Sequence, residues 1–385
     1  MRNLLKPSEA LKPLAFHNFS TSKIISDFVL PNFHPLKDSK LLSQETKGHE
    51  DVNTAAHDVY LTSLKDSGKK YVLKLMNKAR FGLGSEVKEY NPEEAEKQAA
   101  METLAMNVGN VLCRGQFAEG KVLRDGDNRY LATKFIEDSV TIRKIREMLN
   151  MLPEERDETP FYADKHDSSG MPIERLKFPN QLKKKVQRDG LEVRNAVIIG
   201  RIPLLIALYI LGENDEVPNR DGNILISPVN FIINKETGII TPELKLITID
   251  CGLCFQRPAT KSNEKIIDQA FKLAVRDKES PKMGLELYSE LLQSNLKKAK
   301  DDFLKNKIVP LYESGEVDNC VEEAIPHIDE DAKERIEDMK TRLTTCYLAG
   351  KCIKQGLNDP EKKFQATEYM KGLLEELEQN NGKGR

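Results

Sequence analysis

Two pieces, LGENDEVPNRDGNILI (residues 211–226) and KLITIDCGLCF (residues 245–255), decide how this chain is read. In the first, Glu213, Asp215, Glu216, Arg220 and Asp221 crowd between two apolar stretches. In the second, Asp250 stands at the end of an apolar run. The pattern predicts a strand from Asn223 to Ile226, a turn around NKETG and a second strand ending at Asp250. A hairpin joining those strands brings an amide and a carboxylate to neighbouring strand ends, where burial is costly without a cation or a hydrogen-bond partner. Two oxygen ligands so placed suit Mg²⁺ or Mn²⁺. Each also has a structural reading: Asn223 could close the turn begun by Gly222, and Asp250 could cap a helix with Gly252.

Upstream, LEVRNAVIIGRIPLLIALYILG (residues 191–212) reads as one buried helix kinked or restarted at Pro203. Residues 151–180 are too polar and broken to hold a core and read as an exposed, loop-like insertion. Nearer the N-terminus, Val59–Leu64 and Tyr71–Met76 read as strands joined by KDSGKK, with Gly68 supplying the positive φ of a tight hairpin. Lys74 lies inside the second strand among apolar neighbours that pin it to one face. A helix follows, capped at Asn91 with Pro92 as its first residue. It carries Glu94, Glu96 and Glu102. Of these Glu102 shares a stripe with Leu104, Ala105 and Val108 and is the preferred inward-facing acid, with Glu96 second. Two or three strands split by RDGDN come next, and from about residue 262 the chain reads as amphipathic helices.

The 385 residues suffice for one large or two ordinary domains, and 39% hydrophobic content fills a sizeable core. Fifty-nine basic residues nearly cancel 61 acidic ones, so there is no global field to argue for nucleic acid as a partner. Six scattered cysteines are not a disulfide scaffold, and no apolar stretch reaches the roughly 20 residues of a membrane helix. A soluble protein of a reducing compartment is expected. Pro7 and Pro13 break the amphipathic helix that a transit peptide needs, so the N-terminus reads as a flexible leader.

In that order, Lys74 in VLKL, Glu102 in ETLA, NRDGNILI and ITIDCGLCF resemble the protein-kinase superfamily, in its atypical branch of phosphatidylinositol kinases, actin-fragmin kinase and HipA-type bacterial kinases. The resemblance covers about residues 55–300. It implies an α+β, bilobal kinase-like fold: an arm over 1–54, an antiparallel-sheet N-lobe with one helix over 55–138, a mainly helical C-lobe over 139–360, and a C-terminal helix and tail over 361–385. It also implies ATP as cofactor, with Lys74 on the phosphates, Glu102 pairing with Lys74, and Asn223 and Asp250 on the metal. Adenine would lie against a hinge at KFIED, with Phe135, Ile136 and Glu137. IDCGLCF is similar to the family's IDFGLAF, with Cys251 where an aromatic residue is common. Two departures stand out. No GxGxxG occurs, so approach to phosphate would fall to Asn53, Thr54 and the two alanines after them. The family's catalytic aspartate lies five residues before the metal-binding asparagine, where this chain has Pro218. Asp221 fits a shortened loop and Asp215 a loop with three residues inserted, and both stay open.

Lys183, Lys184, Lys185, Arg188, Arg194 and Arg201 form a basic run suited to a polyphosphorylated ligand such as an inositol polyphosphate or a phosphoinositide headgroup. The tail, EYMKGLLEELEQNNGKGR, is similar to the C-terminal signals of effectors injected by type IV secretion in Legionella, which implies release into a host cytosol; otherwise the protein is cytoplasmic. CGLC (Cys251–Cys254) admits a rival redox or half-zinc reading, but the other cysteines lack the spacing of a second pair. The expected activity is an ATP-dependent Ser/Thr protein kinase of atypical type, with a phosphoinositide kinase or a pseudokinase binding module as alternatives.

Overall fold

The computed structural model describes residues 24, 57–81, 86–137, 139–148, 161–169, 172–176, 192–193, 196–213, 223–233, 236–237, 239–275 and 296–383. Strand β1 (Val59–Ser63) turns back on β2 (Lys70–Leu75) through a loop in which Gly68 has φ 65°. A separate hairpin, β3 (Lys78–Phe81) with β4 (Glu86–Glu89), leads into helix α1 (Pro92–Leu112). The expected cap holds: Asn91 Oδ1 accepts from Glu94 N at 2.9 Å while Glu94 Oε2 accepts from Asn91 N at 3.2 Å, a reciprocal box that satisfies two orphan donors. Strands β5 (Gly120–Asp125) and β6 (Asn128–Lys134) follow, joined at Gly126, whose φ is 54°. The first sheet is antiparallel in the order β1-β2-β6-β5, and α1 packs on β5 and β6.

A second sheet holds β7 (Val140–Thr141), β8 (Phe161–His166), β9 (Pro172–Leu176), β10 (Glu192–Val193), β11 (Ala196–Ile199), β12 (Ile224–Ile233) and β13 (Ile239–Thr248). Its order is β7-β12-β13-β11-β9-β8, with β10 also pairing with β13. Helix α2 (Ile142–Met148) follows β7, and α3 (Arg201–Leu211) follows β11. The predicted β12–β13 hairpin is present, pairing Ile224 with Thr248, with a register shift at Pro228–Asn230, where proline has no N–H to give the ladder.

The rest is helical: α4 (Asn263–Ala274), α5 (Lys297–Phe303), α6 (Val309–Ser314), α7 (Glu316–Ala324), α8 (Glu330–Lys354) and α9 (Lys363–Lys383). A π-turn, Leu304–Ile308, joins α5 to α6 just before Pro310, which cannot donate to the preceding turn. The tail is a docked helix: Met370 and Leu374 of α9 are buried, and Asn263 Nδ2 donates to Glu378. The architecture is thus the expected α+β arrangement, a sheet-rich N-terminal region followed by a mainly helical part.

Two local expectations are corrected. Residues 191–212 are not one helix: β10 and β11 come first, because β-branched Val193, Val197, Ile198 and Ile199 suit strands, and Gly200 at φ 78° turns the chain into α3. Pro203 sits in the first turn of α3, where its missing N–H costs nothing, so it produces no kink. The loop-like region near 151–180 contains β8 and β9, which extend the second sheet. In the expected N-terminal arm the described residue is Ile24, which is buried and accepts from Val122 N at 2.9 Å.

Candidate active site

Lys74 is paired in register with Val59 on one side and Leu131 on the other, which places it in the interior of the first sheet. From there Nζ donates to Glu102 Oε2 at 3.0 Å and Oε1 at 3.3 Å, and to Asp250 Oδ1 at 3.3 Å. The three side chains come from β2, from the middle of α1 and from the loop after β13. Glu102 is only 3% exposed, whereas 43% of the Asp250 side chain faces outward, so the cluster is closed behind and open in front. Glu102 Oε1 also accepts from Cys251 N at 3.3 Å, and Asp250 Oδ1 from Gly252 N at 3.0 Å. A Cβ on Gly252 would come within 3.2 Å of Asp250 Oδ1, so glycine lets the backbone close around the carboxylate.

The electrostatics follow from this packing. Burial acts to lower the Lys74 ammonium, but Asp250 and Glu102 outweigh it and hold the amine well above its ordinary value. Burial raises the Glu102 carboxyl to about 7, against the pull of Lys74. Asp250 experiences the opposite balance: burial would raise it, yet Lys74, Glu102 and the Gly252 N–H bring it down to about 2. At neutral pH Asp250 is therefore an ionised carboxylate at the open side of the cluster.

Asn223 arrives next to it through the hairpin. Its carbonyl accepts from Ile249 N at 2.9 Å, so it lies one ladder rung beyond the Ile224–Thr248 pair, beside the strand end that leads to Asp250. The convergence of the two strand ends expected from the sequence is present in the backbone. Among the described residues, no group of three or more His, Cys, Asp or Glu side chains could hold a metal by itself.

Residues 116–118 brace this arrangement. Phe117 bridges Thr248 in parallel fashion, Ala118 N donates to Thr248 O and Thr248 N to Gln116 O, each at 2.8 Å. Gln116, itself buried, donates from Nε2 to Gly200 O at 2.7 Å. The loop leaving α1 is thereby stitched to the strand that delivers Asp250, and Glu102 and Asp250 share one framework.

The other sequence candidates fall as follows. Glu96, the second choice to pair with Lys74, instead receives Arg124 at 2.6 Å and Arg129 at 2.8 Å. Phe135, Ile136 and Glu137 form the crossing from β6 of the first sheet to β7 of the second, where Lys70 reaches Glu137 at 3.2 Å and lies 5.9 Å over the Phe135 ring. Phe135 N is committed to Lys70 O, and Ile136 O to the Ser139 hydroxyl. Arg201 is buried at the start of α3, so it does not offer its guanidinium to a dissolved polyanion. Asn53, Thr54, Asp215, Asp221, Lys183, Lys184, Lys185, Arg188 and Arg194 lie outside the described residues. Cys251 and Cys254 are buried thiols. Contact with Cys254 acts to lower Cys251, but burial and nearby acids raise it; burial and Cys251 push Cys254 well up, and Cys254 Sγ donates to buried Glu213 at 3.0 Å. That setting is the reverse of the exposed, acidic thiol of a redox motif.

Sequence reasoning passed over His57 and Gln116. A lone histidine beside a predicted loop and a glutamine in a turn carry no periodic signal.

No protein-family model matches the chain, and no curated protein matches its sequence. Among solved structures it is similar to the crystal structure of the Helicobacter pylori proinflammatory kinase CtkA, at 15% identity and a TM-score of 0.32, over 82% of this chain and 92% of that one. No helix among the described residues is long and apolar enough to cross a membrane.

Proposed function

We propose that the protein is an ATP-dependent kinase that transfers the γ-phosphoryl group to a hydroxyl. The observation that carries this reading is the single ammonium of Lys74 held between a buried acid, Glu102, and an outward-facing one, Asp250. Phosphoryl transfer asks for little covalent chemistry from the protein; it asks for a fixed cation on the phosphates, an acid to aim it, and oxygen ligands for the metal. Lys74 as the cation, Glu102 as the acid that holds it and Asp250 as an outward-facing carboxylate support this reading.

Mg²⁺ or Mn²⁺ fits the donor set. Asp250 is ionised well below neutrality, Asn223 reaches the adjoining strand end, and a hard cation of this kind completes its shell with water and nucleotide oxygens. Asp250 and Asn223 would hold the ion, which when bound neutralises charge on the transferred phosphoryl group. Glu102 aims Lys74, and Lys74 leaves Asp250 for the α- and β-phosphates when nucleotide enters. The half-exposed Phe135–Glu137 crossing is the expected seat of adenine, and Asp221 or Asp215 is the acceptor of the hydroxyl proton.

A Ser/Thr side chain of a protein is the preferred acceptor, with a phosphoinositide hydroxyl second. The finer reading is an atypical protein kinase secreted by a bacterium as an effector and regulated by an inositol polyphosphate on the basic run over 183–194. It rests on sequence alone.

The test is incorporation of labelled phosphate from ATP with Mg²⁺ or Mn²⁺ into a mixed protein or lipid substrate, by wild type and by Asp250→Ala. The kinase reading expects a signal that the substitution abolishes. ATP binding without incorporation by wild type would leave a pseudokinase, and no ATP binding would end the reading.

A further inference from the structure

His57 lies two residues before β1, whose first residue, Val59, pairs in register with Lys74, and it sits half-buried against the end of β2. Its Nδ1 is 2.7 Å from Lys78 O and 3.0 Å from Leu75 O. Both partners are carbonyl acceptors, so Nδ1 must carry the proton and donate to them. This fixes the tautomer and the ring orientation together. The second ring nitrogen diverges from the first, so Nε2 points away from those carbonyls, and among the described residues it has no hydrogen-bond partner. A histidine needed only to tie β1 to the β2–β3 corner would be complete with Nδ1 alone.

The charged groups acting on the ring are Lys74 and Asp250. Burial first, and then the Lys74 cation, lower its pKa, against the opposing effects of the Lys78 and Leu75 carbonyls and of Asp250. The imidazole is thereby held neutral at neutral pH, and Nε2 has a lone pair but no hydrogen. Polyanionic phosphate arriving at Lys74 works against that balance, because it offsets the lysine's field and adds negative charge beside the ring, while the burial remains.

Resting on the kinase reading above, we propose that His57 is a phosphate-binding residue of the site: on arrival of ATP, Nε2 takes a proton from solvent and donates it in a charge-assisted hydrogen bond to a phosphate oxygen. Nδ1 keeps its carbonyls throughout, so the chain need not move. The residue would supply from a side chain part of what a glycine-rich loop supplies from backbone N–H groups, and no GxGxxG occurs in this sequence.

The test is calorimetric titration of the full chain with preformed Mg–ATP, and separately with adenosine, in two buffers of different ionisation enthalpy near neutral pH. His57→Asn retains an N–H donor near the position of Nδ1 and removes Nε2; His57→Gln places an amide donor near Nε2 and gives up the tether. Wild type is expected to take up protons with Mg–ATP beyond any uptake by His57→Asn, and His57→Asn to bind Mg–ATP about tenfold more weakly with adenosine affinity unchanged. His57→Gln is expected to recover part of the lost ATP affinity without the proton uptake. Equal proton uptake and equal ATP affinity in wild type and His57→Asn would overturn the proposal, as would parallel loss of ATP and adenosine binding, which marks a purely structural role. Wild type binding neither ligand would instead defeat the kinase reading on which the proposal rests.

Discussion

Lys74 reaches Asp250 across 176 positions of sequence, with Nζ 3.3 Å from Oδ1, while the same ammonium holds Glu102 at 3.0 Å. One cation thus serves two carboxyl groups, and the buried one depends on it most. Lys74→Ala leaves Glu102 enclosed without a counter-charge, a change that costs about 3 kcal/mol in stability. Chemical denaturation should show that loss and ATP titration the absence of binding. Lys74→Arg keeps the charge and should recover part of the stability, but a planar guanidinium does not reproduce the point charge aimed at phosphate, so phosphotransfer stays lost. A Lys74→Ala protein with the wild-type midpoint would contradict the cluster as described.

The pH dependence of stability has a definite sign at Glu102. Its carboxyl rises from 4.5 in the unfolded chain to about 7 in the fold. A raised value means that the folded state favours the protonated acid, so the contribution is complete below 4.5 and is lost as pH rises through about 7. Wild type should therefore lose stability relative to Glu102→Gln between pH 5 and pH 8, by at most about 3 kcal/mol. Asp250 works the other way, its contribution present above 3.8 and lost only as pH falls toward about 2, outside that window. Denaturation midpoints of both proteins across the range provide the check; a difference that does not change with pH would refute the assignment.

The thiols of the CGLC segment offer a discriminating measurement. Both are buried, and both are raised above the ordinary cysteine value. The thiolate is the reactive form, so a native protein should leave Cys251 and Cys254 unlabelled by a thiol-specific disulfide reagent and release them only on unfolding. Rapid labelling of either in the folded state would revive the redox reading.

The residues that proved legible in the sequence share a reason. Lys74, Glu102 and Asp250 are polar groups inside apolar runs, and a charge at a position that local pattern commits to the interior must find a partner. Asn91 and Gly68 were legible because capping and positive φ are local chemistry, settled within a few residues. What escaped depends on distant pairing. Strands β8 and β9 are short and flanked by polar segments; they pair with each other and join the sheet where β9 meets β11, which in turn pairs with β13. The boundary between β11 and α3 was hidden because an apolar run reads alike as buried strand or buried helix, and only Gly200 marks the change. His57 and Gln116 acquire meaning from carbonyls that lie 18 and 84 residues away, respectively, which no periodicity records.

Two helical glycines should respond to alanine with opposite signs. Gly109 lies in α1, where a Cβ would meet the Phe117 ring at 2.5 Å. An aromatic ring on the brace between α1 and β13 cannot yield that distance without moving the Phe117–Thr248 bridge and the Ala118 N–H bond to Thr248. Gly109→Ala gains about 1 kcal/mol of helix propensity but loses about 1–3 kcal/mol to overpacking, and is expected to destabilise on balance and to weaken ATP binding as Glu102 shifts. Gly372 lies in α9 with nothing within 4 Å of the same atom. There the propensity gain is unopposed, and Gly372→Ala should stabilise by up to about 1 kcal/mol and leave ATP binding unchanged. Denaturation midpoints and nucleotide titrations of the two variants test the brace directly: if Gly109→Ala proves as benign as Gly372→Ala, the packing of Phe117 under α1 does not hold the acid in place.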